Sequence, residues 1–106
     1  MSNKLNWPAE NGELMLSGEL DCDTLLPFWD IRQQILTADI HTLNVSALSR
    51  VDSAGLAMLV HILDEASVRQ QPLTLIGVTA KLQMLIDLYN LRQIIQPYLV
   101  SSADRV

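Results

Sequence analysis

Across Val51-Asp52-Ser53-Ala54-Gly55-Leu56 the chain changes its hydrophobic period, and this break constrains the fold more than any other feature. Before it, His41-Thr42-Leu43-Asn44-Val45-Ser46 alternates with period two and reads as a strand leading towards Asp52. After it, the apolar run from Leu56 to Leu63 supplies a helix body, expected over about Ala54 to Gln70. Asp52 and Ser53 are both good N-cap types, because a short side-chain oxygen can accept from the unpaired amides of the first turn. Gly55 lets the backbone pass close to a neighbour. By itself the spacing needs nothing more than a well-capped helix.

The rest of the chain repeats the same alternation. Asn11-Gly12 is a strong hairpin signal between the Leu5-Asn6-Trp7 region and the alternating Glu13-Leu14-Met15-Leu16-Ser17. Asp21, Asp23 or Thr24 can cap a first helix running to about Thr37, with Leu25, Phe28, Ile31 and Ile35 as its core stripe, Trp29 at the stripe's edge and Leu26 beyond it. Pro72 to Val78 is a short β-type run. Leu82, Leu85, Ile86 and Tyr89 then follow helical spacing, and Asn90-Leu91 suits a Schellman-type stop. Strands alternating with helices after a hairpin predict a small α/β domain with a mixed, mostly parallel sheet and helices packed on it. Residues 1–106 are expected to form this one domain, with 97–106 a flexible tail.

Composition narrows the function classes. The net charge of -5 and seven scattered Lys and Arg residues argue against nucleic acid and against direct membrane-surface binding, since both need clustered positive charge. The longest apolar stretch contains His61 and is too short to span a bilayer, and the N-terminus has no signal-peptide core, so a cytoplasmic location without membrane insertion is expected. A single cysteine, Cys22, fits a reducing compartment and is expected to fill space near a helix start. Gly-rich phosphate loops, paired metal ligands and a nucleophile elbow are lacking, and Ser53 has no evident His base nearby. The expectation is therefore a non-enzyme with neither cofactor nor metal.

On a helical wheel, Leu56, Leu59, Val60, Ile62, Leu63 and Ala66 share the core arc of the second helix. Met58 and His61 fall on the outward side, about one turn from Ser53, where a flexible thioether suits docking. Trp29 is a candidate partner anchor, because half-buried aromatics dominate many interfaces. The expected partner-binding residues are Trp29, Asp52, Ser53, Ala54, Met58 and His61.

Three motifs in order resemble the STAS domain family: Ser17-Gly18-Glu19-Leu20-Asp21, Val51-Asp52-Ser53-Ala54-Gly55-Leu56 and Leu85-Ile86-Asp87-Leu88-Tyr89-Asn90-Leu91. Leu25-Leu26-Pro27-Phe28-Trp29 and Leu56 to Asp64 are similar to the cytoplasmic STAS subunits of lipid-asymmetry (Mla) ABC transporters. That resemblance implies a non-enzymatic module that binds an ABC transporter ATPase subunit and supports its assembly and activity in intermembrane phospholipid trafficking, placing the chain at the inner-membrane face through the complex. Ser53 falls at the family's phosphorylatable or partner-contacting hydroxyl, whereas Ala54 departs from the more usual Ser or Gly. The alternative is an anti-sigma factor antagonist controlled by phosphorylation of Ser53.

Overall fold

The computed structural model describes residues 5–99. Asn11 (φ 56°) and Gly12 (φ 82°) both take left-handed backbone, the geometry of a type I′ turn, and join β1 (Ala9–Glu10) to β2 (Glu13–Leu20). Upstream, the expected Leu5-to-Trp7 strand is reduced to an isolated antiparallel bridge, Asn6 to Ser17, with Pro8 accepting a further bond from Met15 N. After β2 come α1 (Leu25–Asp30), α2 (Arg32–Ile35), β3 (Thr42–Val51), α3 (Ser53–Val68), β4 (Thr74–Ile76), α4 (Ala80–Leu88), α5 (Arg92–Ile95) and a 3-10 turn (Gln96–Tyr98). The sheet order is β1-β2-β3-β4, antiparallel at the hairpin and parallel thereafter. This is the mixed, mostly parallel α/β sheet expected.

One face of the sheet carries the core. Leu14 and Leu16 of β2, Leu43 and Val45 of β3 and Leu75 of β4 are buried, while the alternating Glu13, Met15, Thr42, Asn44, Thr74 and Ile76 are only half-buried. Period two puts the first set against Phe28, Leu56, Leu59, Ile62, Leu63, Leu82 and Ile86 of the helices. Each such side chain contributes about 1.5–3 kcal/mol when fully buried.

Several element expectations need correction. The first helix does not run unbroken to Thr37: it stops at Ile31 (φ -113°, ψ 18°), and α2 restarts one residue later. At this break Arg32 Nη1 donates to the Trp29 carbonyl at 2.8 Å, alongside the backbone N–H that bonds the same oxygen at the helix end. Of the expected stripe, Phe28 alone is fully buried; Leu25 and Ile35 are half-buried and Ile31 is exposed. Strand β3 extends to Val51 and stays paired with β2 throughout, although the register slips between Met15 and Ser17 and again between Gly18 and Glu19, so that Leu20 ends opposite Val51. The stop of α4 is as expected: Asn90 has φ 57°, and Asn90 N and Leu91 N donate to the Asp87 and Ile86 carbonyls at 3.1 and 2.9 Å. Within the expected tail, Pro97 and Tyr98 lie in the 3-10 turn and Leu99 bridges Leu75 in parallel; the remainder of that tail, 100–106, lies outside the described residues.

Candidate functional site

The adjacent parallel strands β2 and β3 end side by side, and the two turns that leave them are tied together. Asp52 caps α3: its Oδ1 accepts from Gly55 N at 2.9 Å, and its Oδ2 accepts from Cys22 N at 3.3 Å in the β2–α1 turn. That second turn is fixed by Asp21, whose carboxylate accepts from Asp23 N and Thr24 N at 2.9 and 3.0 Å and lies 3.7 Å from Arg50. Thr24 stands at the N-cap position of α1 but caps nothing: its hydroxyl oxygen accepts from Asp21 N at 3.0 Å while its proton goes to the Glu19 carbonyl at 2.8 Å. The close approach expected at Gly55 is present: a Cβ there would stand 2.5 Å from the Leu20 carbonyl oxygen.

Between the two cap candidates the geometry decides for Asp52. Ser53 is the first residue of α3, exposed, and its hydroxyl has no hydrogen-bond partner among the described residues. Ala54 behind it is half-buried. The Ser53 hydroxyl is thus presented outward at a helix N-terminus, where the orphan amides and the helix dipole favour an anion or an acceptor group.

A second group lies along the flank of α3 that faces α1. Half-buried Trp29 meets the exposed His61 edge-on, with ring centroids 6.1 Å apart. The guanidinium of Arg32 covers the Trp29 ring at 3.7 Å from its centroid and pairs with Glu65 at 3.0 Å. Leu26, one turn before Trp29, is 56% exposed. The structure therefore brings Trp29 and His61 together, as it does Asp52, Ser53 and Ala54.

Met58 does not join them. It is 4% exposed, packed in the core, which corrects the outward position read from the wheel. The buried arc of α3 runs from Met58 and Ile62 to Leu59 and Leu63, with Val60 and Ala66 only half-buried. The helix is covered on its α1 side as well as on its sheet side, so the core arc is rotated towards Met58. Cys22 is likewise corrected: its side chain is exposed rather than filling space. Arg32 and Glu65 were not singled out from sequence; the spacing of Arg32 three residues after Trp29 was the one signal present. Among the described residues no helix is long and apolar enough to cross a membrane.

Comparison with known proteins gives the chain's relatives. A family model described as "Mlab, STAS domain" matches residues 3–100. Over 91 residues the chain is 44% identical to a protein of Escherichia coli (strain K12) named intermembrane phospholipid transport system binding protein MlaB, covering 86% of this chain and 93% of that protein. A protein of the same name from Haemophilus influenzae is 35% identical over 96 residues, covering 82% and 91%. Among solved structures, the Bacillus cell fate determinant SpoIIAA in its phosphorylated form superposes with a TM-score of 0.62 at 16% identity, covering 91% of this chain and 88% of that one. At that identity the likeness is one of fold.

Proposed function

The chain belongs to the STAS domain family, and on that premise we propose that it is a non-enzymatic subunit binding the ATPase of an inner-membrane ABC transporter for intermembrane phospholipid trafficking. The observation that carries this reading is the exposed Ser53 at the start of α3 and the Trp29–His61 pair further along the flank of that helix, in a chain 44% identical over most of its length to a binding protein of a phospholipid transport system. Such a surface has the parts of a docking site: an aromatic anchor, an exposed aliphatic neighbour in Leu26 and a neutral hydroxyl on a rigid helix start. Docking there supports assembly and activity of the ATPase and holds the subunit at the cytoplasmic face of the inner membrane.

Ser53 is also where the interaction can be switched. A phosphoryl group adds about -1.5 to -2 charge, which the start of α3 tolerates but a partner surface matched to a neutral hydroxyl does not, since burying an unpaired charge is costly. Asp52 beside it opposes the added charge, its carboxylate held at the helix start by the amides of Gly55 and Cys22.

A tagged full-length copy purified from its host tests the reading by mass spectrometry of what comes with it. An ABC ATPase subunit should be recovered with the wild type and lost with Ser53→Asp, and the Ser53→Asp strain should lose outer-membrane lipid asymmetry. Recovery of no ATPase, or unchanged asymmetry in that strain, overturns the assignment. Recovery of an anti-sigma kinase that phosphorylates Ser53 would replace it with the partner-switching alternative.

A further inference from the structure

We propose that Arg32 is a positioning residue for docking: anchored by Glu65, its guanidinium clamps the Trp29 indole in the orientation that the partner meets. The inference rests on the docking surface proposed above. Trp29 sits in a helix of only six residues that ends at the next position, Asp30, so the backbone by itself fixes the ring weakly. An indole left to sample rotamers must be ordered on binding, at a cost in affinity; one already held is not.

Arg32 is placed to hold it from three elements at once. Its Cζ lies 3.7 Å from the Trp29 ring centroid, its Nη1 donates to the Trp29 carbonyl at 2.8 Å, and its Nε and Nη2 reach Glu65 Oε1 and Oε2 at 3.0 and 3.5 Å. The backbone bond ties α2 to the last turn of α1, the side-on pair ties α2 to α3, and the stacking contact closes on the ring between them. His61 approaches the same ring edge-on, so one face and one edge of the indole are occupied within the chain. The Arg32 and Glu65 side chains are 20% and 32% exposed, which leaves the pair partly shielded from water but still near the surface where Trp29 emerges. Only a planar fork makes these contacts together. A lysine keeps the charge but can neither stack flat on the indole nor donate at once to a carbonyl and to both oxygens of a carboxylate.

The ABC ATPase subunit from the same host serves as the binding probe, with affinity measured for the full chain and for Arg32→Lys, Glu65→Gln, Trp29→Ala and the Arg32→Lys/Trp29→Ala double variant. Arg32→Lys should weaken binding roughly tenfold, the equivalent of ordering one side chain at the interface. Glu65→Gln should weaken it in the same direction. In the double variant, binding should be no weaker than in Trp29→Ala, because Arg32 acts through the ring. With 5-fluorotryptophan incorporated and the lines assigned by Trp29→Phe, the free Arg32→Lys protein should show a shifted and broadened Trp29 resonance beside an unchanged Trp7 line. Wild-type affinity in Arg32→Lys, additive losses in the double variant, or an unmoved Trp29 resonance each overturns the clamp. If Trp29→Ala itself binds as wild type, the docking surface falls and the clamp with it; if Trp29→Ala weakens binding while Arg32→Lys does not, the clamp alone falls.

Discussion

Gly55 sits in the first turn of α3 with Leu20 against it, the carbonyl oxygen 2.5 Å and the side-chain Cγ 2.8 Å from where a Cβ would stand. Gly55→Ala therefore sets a helix-propensity gain of about 1 kcal/mol against overpacking of about 1–3 kcal/mol on a backbone atom that cannot move aside. A net loss of up to about 2 kcal/mol is expected in urea unfolding. A second residue-scale prediction concerns Asp87. The Arg92 guanidinium, with Nη2 at 2.8 Å from Oδ1, holds the Asp87 carboxyl below its ordinary range, and Gln83 adds to the effect. A carboxyl lowered in the folded state contributes stability that is complete above its unfolded pKa, about 3.9, and is lost as pH falls through the lowered value. Arg92→Ala should move the Asp87 titration, followed by carbon NMR, up towards that ordinary value. At this scale the need for a small residue at Gly55 and a cap at Asp52-Ser53 was legible, because both follow from the start of one helix. Which oxygen does the capping was not, since Asp52 also serves Cys22 in another turn.

At the scale of elements, both long helices end in the same way on different residues. The stop of α4 uses Asn90, a residue that tolerates left-handed backbone, and was legible for that reason. The stop of α3 places Gln70 at φ 63°, with Gln70 N and Gln71 N donating to the Ser67 and Ala66 carbonyls at 3.0 and 2.9 Å. Nothing in glutamine announces that geometry, whose cost for a residue with a Cβ is about 1–2 kcal/mol. Gln70→Gly should therefore raise stability by about 0.5–1 kcal/mol in urea unfolding, the relief of strain exceeding the added freedom of the unfolded chain. Asn90→Gly should be close to neutral by the same measurement. The break at Ile31 belongs to this scale as well: its apolar side chain has the spacing of the stripe, yet its backbone leaves helical geometry and the Arg32 guanidinium bonds the Trp29 carbonyl at the end of α1.

For the molecule as a whole, the proposed function requires that fold and docking be separable at Ser53. Ser53→Asp places a carboxylate at a helix start, worth about 0.3–1 kcal/mol, against repulsion from Asp52 of similar size. Its melting temperature should stay within about 4 °C of wild type, while partner recovery is lost. A melting point that falls much further would mean that lost binding reports unfolding. The sequence by itself determined the mixed α/β sheet, the hairpin at Asn11-Gly12, the helix start at Asp52-Ser53 and the stop at Asn90, because these rest on hydrophobic period and on backbone preferences of a few adjacent residues. Tertiary structure decided the rest. It buried Met58, left Cys22 exposed, and stacked Arg32 on Trp29. The contacts responsible join residues far apart in the chain: Asp52 to Cys22 across 30 positions, and Arg32 to Glu65 across 33. No period or local preference encodes which flank of α3 will meet α1. That choice exists only once the two helices are packed on the same sheet.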